Sequence, residues 1–216
     1  SYNVGALYKF NLNEKLTIDT SLRYETGSSL SVNSRRELAT IQIGQNDTEI
    51  VVDEFDVEPR DSEIRLPEML AFGAGIGEDK KWFVGLEYEH YQAGDFSSLS
   101  YNFGPEVAQI DAEVFRLGGY FIPRYNDPVS YFKQVVYRAG LRMEQTGLEY
   151  RGEGIDEFGI SFGLGLPAGR VFTNTNLGVE YFERGTTNNN LIQEKFISVF
   201  LSFSFNDKWF IKSKYN

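Results

Sequence analysis

The stretch Lys15 to Glu25, KLTIDTSLRYE, alternates with a period of two. Leu16, Ile18, Thr20, Leu22 and Tyr24 fall on one side of an extended strand, and Thr17, Asp19, Ser21, Arg23 and Glu25 fall on the other. Such a strand needs an apolar medium on one side and a wet one on the other. A slip of one residue would exchange the two sides, so the pattern fixes register as well as secondary structure.

The same alternation recurs over 2–11, 69–76, 82–89, 115–121, 137–144, 158–166, 176–181 and 197–205, which makes nine predicted strands. In the seventh, Phe158, Ile160, Phe162, Leu164 and Leu166 oppose Gly159, Ser161, Gly163 and Gly165. The glycines of GISFGLGLPAG superficially resemble a nucleotide loop, but they alternate with apolar residues inside a strand and no helix follows, so they read as small residues on a strand face.

The links between strands alternate in length. Short ones fall at 13–14, 77–81, 123–133 and 167–170, and long ones at 26–65, 92–106, 145–154 and 183–193. Tight turns on one rim and long loops on the other are the habit of an outer-membrane barrel, with the turns periplasmic and the loops extracellular. Aromatic residues sit near the strand ends: Phe10, Trp82, Phe121, Tyr137 and Phe205 toward the short-turn rim, and Tyr24, Tyr88, Tyr91 and Tyr181 toward the other. They read as two interfacial girdles. A soluble β-sandwich or lipocalin-like barrel would instead turn the apolar side inward.

Composition removes several classes of function. With 216 residues, 41% of them hydrophobic, the chain can bury a sizeable all-β core. A mean hydropathy of -0.35 without a long apolar run excludes a transmembrane helix and leaves a membrane barrel open. No Cys and a single His, His90, leave no disulfide framework, no thiolate metal site and no histidine cluster. A net charge of -10 and a pI near 4.7 argue against a nucleic-acid partner. No cofactor is implied. SYNVGALYKF lacks the features of a signal peptide, so an export signal is expected upstream or already removed.

The pattern therefore predicts an all-β, antiparallel, up-and-down transmembrane β-barrel. Residues 1–205 form its strands, 26–65 a long extracellular loop and 206–216 a periplasmic tail. An odd count of nine, with both barrel ends expected in the periplasm, predicts at least one further strand upstream. Within 26–65, ELATIQI and EIVVDEF read either as an extracellular hairpin or as extensions of the neighbouring strands.

A turn signature repeats at Asn13-Glu14-Lys15-Leu16, Glu78-Asp79-Lys80-Lys81-Trp82 and Asn206-Asp207-Lys208-Trp209. A wet turn, a Lys that reaches headgroups and an interfacial aromatic suit a periplasmic rim. With it, the run IRLPEMLAFGAGIGEDKKWFVGLEYEHYQAGDFSS and the closing SFSFNDKWFIKSKYN resemble the FadL-type transporters of long-chain fatty acids and hydrophobic compounds. The specific part of that resemblance is the Leu66-Pro67 to Ser98 hairpin and the tail. It implies a larger, fourteen-stranded barrel with an upstream hatch and a lateral opening for an apolar ligand, and no catalytic residues.

On the polar side, Asp19, Arg23, Glu25, Glu87, Glu89, Arg116, Arg138, Arg142, Glu144 and Glu180 are expected to face the lumen. Both signs occur on neighbouring strands, which favours ion pairing over an open pore. Phe83, Tyr120, Phe182, Phe196 and Phe200 share that side and define a candidate path for an apolar ligand, or else packing against a plug. His90 with Asp95 could suggest a protease or lipase, yet an isolated rim histidine is better read as interfacial, so the chain is expected not to be an enzyme. The acidic run of Asp53, Glu54, Asp56, Glu58, Asp61 and Glu63 lacks the glycine and spacing of a calcium loop and reads as a solvated outer loop.

The leading expectation is passive uptake of a hydrophobic small molecule through the bacterial outer membrane, with lipid and lipopolysaccharide around the barrel. The alternative is a non-transporting subunit of an outer-membrane assembly or secretion complex, with other outer-membrane proteins as its partners. Fold alone does not separate the two.

Overall fold

A computed structural model describes residues 1–44, 49–92, 106–167 and 172–205, with the side chains of 32–37, 56–64, 172–174 and 205 left out. The tail 206–216 and its turn signature, Asp95 and most of the 92–106 link lie outside the described residues. The strands are β1 (Asn3–Asn11), β2 (Leu16–Glu25), β3 (Ser28–Ile43), β4 (Glu49–Leu66), β5 (Glu68–Glu78), β6 (Trp82–Gln92) and β7 (Val107–Gln109). They continue with β8 (Ala112–Phe121), β9 (Val136–Tyr150), β10 (Glu153–Pro167), β11 (Phe172–Arg184) and β12 (Glu194–Phe205).

Ten of these form one antiparallel sheet in the order β1-β2-β5-β6-β8-β9-β10-β11-β12, with the short β7 paired to β9. Apart from the β3–β4 excursion and β7, strand follows strand in sequence order. Among the described residues β1 and β12 each have a neighbour on one side only, so the sheet is open where a closed barrel was expected, and fourteen strands find no support in it. Closure depends on strand number, tilt and stagger, and a period-two pattern encodes none of these.

Burial sorts the two faces in the sense opposite to a soluble sandwich. In β5, Met69, Ala71 and Gly73 are buried, whereas Leu70 and Phe72 between them are each 49% exposed. The polar and small side is sheltered and the apolar side lies open. At the edges the distinction vanishes, and every residue of β1 is exposed.

β3 and β4 form a separate two-stranded sheet, from Ser28↔Leu66 at the base to Ile43↔Glu49 near the tip. It carries on from the β2–β5 pair, whose last register is Glu25↔Met69, and among the described residues it makes at most marginal contact with other strands. The expected long loop at 145–154 is instead a hairpin. β9 and β10 run on until only Arg151 and Gly152 separate them, at φ 50° and 81°, the left-handed pair that a tight hairpin turn requires. The expected short link at 123–133 is a folded connector, 122–135, with a 3-10 turn at Tyr131–Lys133.

Candidate functional site

The registers stack the sheltered side chains into bands that cross the sheet. Toward the β3–β4 end, one row carries Arg23, Ala71, Glu89, Val114, Glu144, Glu157 and Arg184, and the next carries Ser21, Gly73, Glu87, Arg116, Arg142, Gly159 and Phe182. Then follows Asp19, Gly75, Gly85, Gly118, Gly140, Ser161 and Glu180, and after it Thr17, Gly77, Phe83, Tyr120, Arg138, Gly163, Gly178 and Phe200. The face is thus ionic at one end, smooth in the middle and aromatic at the other.

The ionic band is organised around two buried glutamates. Arg23 Nη2 lies 2.8 Å from Glu89 Oε1, Arg116 Nη1 lies 2.9 Å from Glu89 Oε2, and the Tyr91 hydroxyl donates to Oε2 at 3.0 Å. Arg116 also reaches Glu87 at 2.7 Å. Glu157 repeats the design: Arg142 Nη2 approaches at 2.5 Å, and Arg184 Nε donates to its other oxygen. Arg142 holds Glu144 as well, at 3.0 Å. A buried carboxylate between two guanidiniums is satisfied in both charge and hydrogen bonding, whereas one left without its partners would be strongly unfavourable.

The remaining charges sit apart. Asp19 faces Lys9 at 3.7 Å, Glu25 accepts from Asn3, and Arg138 donates to Asn176 at 2.8 Å. Glu180 lies between Ser161 and Ser198 in register.

Glycines of the smooth row and of the aromatic row itself make room for the rings. A Cβ on Gly75 would fall 2.2 Å from the Phe83 ring, and one on Gly178 would fall 1.9 Å from that of Phe200, so these rings lie flat across bare backbone. The five aromatics do not form a continuous path. Phe83 stacks on Tyr120 at 6.2 Å and Phe182 on Phe196 at 4.7 Å; the second pair lies in the row of Arg142 and Gly159, and within the row of the first, Arg138, Gly163 and Gly178 separate Tyr120 from Phe200. An open groove of about 830 Å³ is bordered by residues of both faces, among them Phe83, Tyr120 and Arg138 of the sheltered one and Leu117, Phe162 and Leu177 of the open one.

His90 lies 3.8 Å from both Asp111 and Glu113, beyond hydrogen-bond reach. Among the described residues, no cluster of three or more His, Cys, Asp or Glu side chains is placed to hold a metal ion.

Two sets of residues escaped the sequence reading. Glu157 lies one residue before the strand assigned to 158–166, and Arg184 lies three beyond that assigned to 176–181; extending the alternation of β10 would have placed Glu157 with Gly159 and Ser161. In the 122–135 connector Asp127, 2% exposed, accepts the backbone N–H groups of Val129 at 2.9 Å and Ser130 at 2.8 Å. Arg124 and Lys133 flank it at 3.2 and 3.6 Å. These amides, with the two cations, hold its carboxyl below the usual carboxylate range. Asp127-Pro128-Val129-Ser130 is a legible signal for such a turn. The connector is tied to neighbouring turns as well, through Tyr131 donating to the Pro167 carbonyl, Lys80 over the Tyr125 ring and Ile122 N–H bonded to the Lys81 carbonyl.

A family model described as BamG matches residues 1–216. No curated protein matches the chain. The match along the whole chain overturns the resemblance to FadL-type transporters, toward which nothing in the comparison points. The Leu-Pro strand opening and the Asp-Lys-Lys-Trp turn meet general demands of an outer-membrane hairpin, a strand start and an interfacial anchor, and so they do not single out one family.

Proposed function

The chain belongs to the BamG family, and from that membership we propose that it is a non-enzymatic accessory subunit of the machinery that assembles outer-membrane proteins. The match of a family associated with outer-membrane assembly, over every residue, carries this reading. Its strands span the bacterial outer membrane, with the open apolar face toward lipid or a neighbouring protein and the β3–β4 hairpin outside the cell.

Two features support a docking role over a conducting one. The ionic band is paired within itself, and the rings of Phe83 and Phe200 cover the glycines that would otherwise give the sheltered face a smooth channel wall.

The test is mass spectrometry of what co-purifies with the full-length protein from its native membrane in mild detergent. Stoichiometric outer-membrane assembly proteins are expected. A lone protein carrying no such partner would overturn the reading.

A further inference from the structure

We infer that the tip of the β3–β4 hairpin is a protein-docking element whose partner presents an apolar strand or groove flanked by Lys and Arg. The inference rests on the reading of the chain as an outer-membrane accessory subunit, and it names the surface through which that subunit engages a partner.

The tip comprises 38–43 of β3 and 49–55 of β4. Leu38 pairs with Phe55 on one face and Ile41 with Val51 on the other, with a bulge between the two pairs. Ile43 is 69% exposed, Leu38 64% and Val52 60%. A two-stranded ribbon has no second layer in which to bury such side chains, and an isolated hairpin is marginal in water. Exposed on both faces, the tip requires a cover.

Three observations identify that cover. Among the described residues the hairpin makes at most marginal contact with the other strands, so its own sheet does not supply it. Lipid does not reach it either: 16 residues of β3 extend the ribbon by roughly 50 Å beyond strands that already match an apolar band of about 25 Å. The only charges in the two tip segments are the carboxylates of Glu49, Asp53 and Glu54. Two such tips would repel each other, which disfavours a second copy, while a partner rimmed with cations would be drawn to them. The free edges of the ribbon add backbone groups for strand addition.

The experiment places a photo-crosslinking side chain at Ile43 or Val52 of the full-length protein in its native membrane, with Leu70 on the open sheet face as the reference position. The expected result is one discrete adduct from the tip positions, absent from Leu70, with a protein that also co-purifies stoichiometrically. Its cross-linked peptide carries Lys or Arg beside apolar residues. The triple variant Glu49→Lys, Asp53→Lys, Glu54→Lys lowers the adduct yield at least tenfold, as does Ile43→Ser with Val52→Ser when the probe is at Leu38. Heat-modifiable migration shows that the sheet of each variant is folded.

An adduct with a second copy, with lipid or with lipopolysaccharide would overturn the inference, as would a yield that charge reversal leaves unchanged. Co-purified assembly proteins without any tip adduct would overturn it and leave the accessory-subunit reading standing. An absence of partners from the unaltered protein would overturn both.

Discussion

The β3–β4 hairpin and the 122–135 connector are both excursions from the same sheet, and they are built on opposite plans. The connector folds around a buried carboxylate that satisfies two backbone amides and two cations, and it is tied to the turns on either side. Among the described residues the hairpin has backbone pairing along its strands and at most marginal packing on the rest of the sheet, and it holds large apolar side chains in the open. The contrast separates order that comes from within the chain from order that awaits a surface outside it. Length matters less than where the polar groups and the apolar groups of an excursion find partners.

The contrast is broken most severely by removing the anchor of the connector. Asp127→Ala leaves the Val129 and Ser130 amides without their acceptor and places Arg124 and Lys133 near one another uncompensated. Amide hydrogen exchange over 122–135 is expected to accelerate on the order of tenfold or more, while exchange in β5 and β6 stays unchanged.

Acid should reproduce that change without a mutation. The folded pKa of Asp127 is depressed, so its stabilisation is fully present above the ordinary aspartate value and is lost only as pH falls through the lowered one. Exchange in the connector, corrected for the intrinsic pH dependence, should therefore match between pH 7 and pH 5 and rise only in stronger acid. A rise near neutrality would contradict the assigned anchor.

A smaller effect is expected from Tyr131→Phe, which removes only the hydroxyl that donates to Pro167, at 2.9 Å, on an exposed side chain. A few-fold change in exchange, confined to the connector, is the expected outcome. Shortening the hairpin by replacing 29–65 with a tight turn should change the stability of the sheet least, by less than about 0.5 kcal/mol in denaturant titration. A larger loss would mean that the hairpin supports the sheet, and the contrast would fail.

Much of the main sheet was legible because most of its strands separate a wet side from an apolar one, and that demand writes itself into every second residue. Leu70 and Phe72 against Ala71 and Gly73 show the rule at full strength. It weakens where neither side is constrained. Thr146, Leu148 and Tyr150 continue β9 past the zone where alternation is enforced, so 145–154 reads as a loop although it is a hairpin.

The hairpin of 26–65 was legible as one of two options and no further, since both of its faces are open and a one-residue slip would carry little penalty. Of the ionic band, Arg23, Glu89, Arg116 and Arg142 were readable from parity. Glu157 and Arg184 were not, because Glu157 stands just before its assigned strand and Arg184 falls in the link assigned to 183–193. Closure of the sheet and the identity of the family lie beyond any local pattern: one is a property of the whole ring, and the other of the whole chain.

The register of the hairpin also bears on the order in which the chain folds. Bringing β2 and β5 together across an unstructured segment of this length would carry about 3 kcal/mol of length-dependent closure entropy. A ribbon that zips from its tip, on the roughly 1–10 μs scale of hairpin formation, ends with Ser28 opposite Leu66. The next pair to form is Glu25 with Met69, the first rung of the β2–β5 ladder. The most distant neighbours in the sheet, as the sequence counts distance, thereby become adjacent by propagation and need no search.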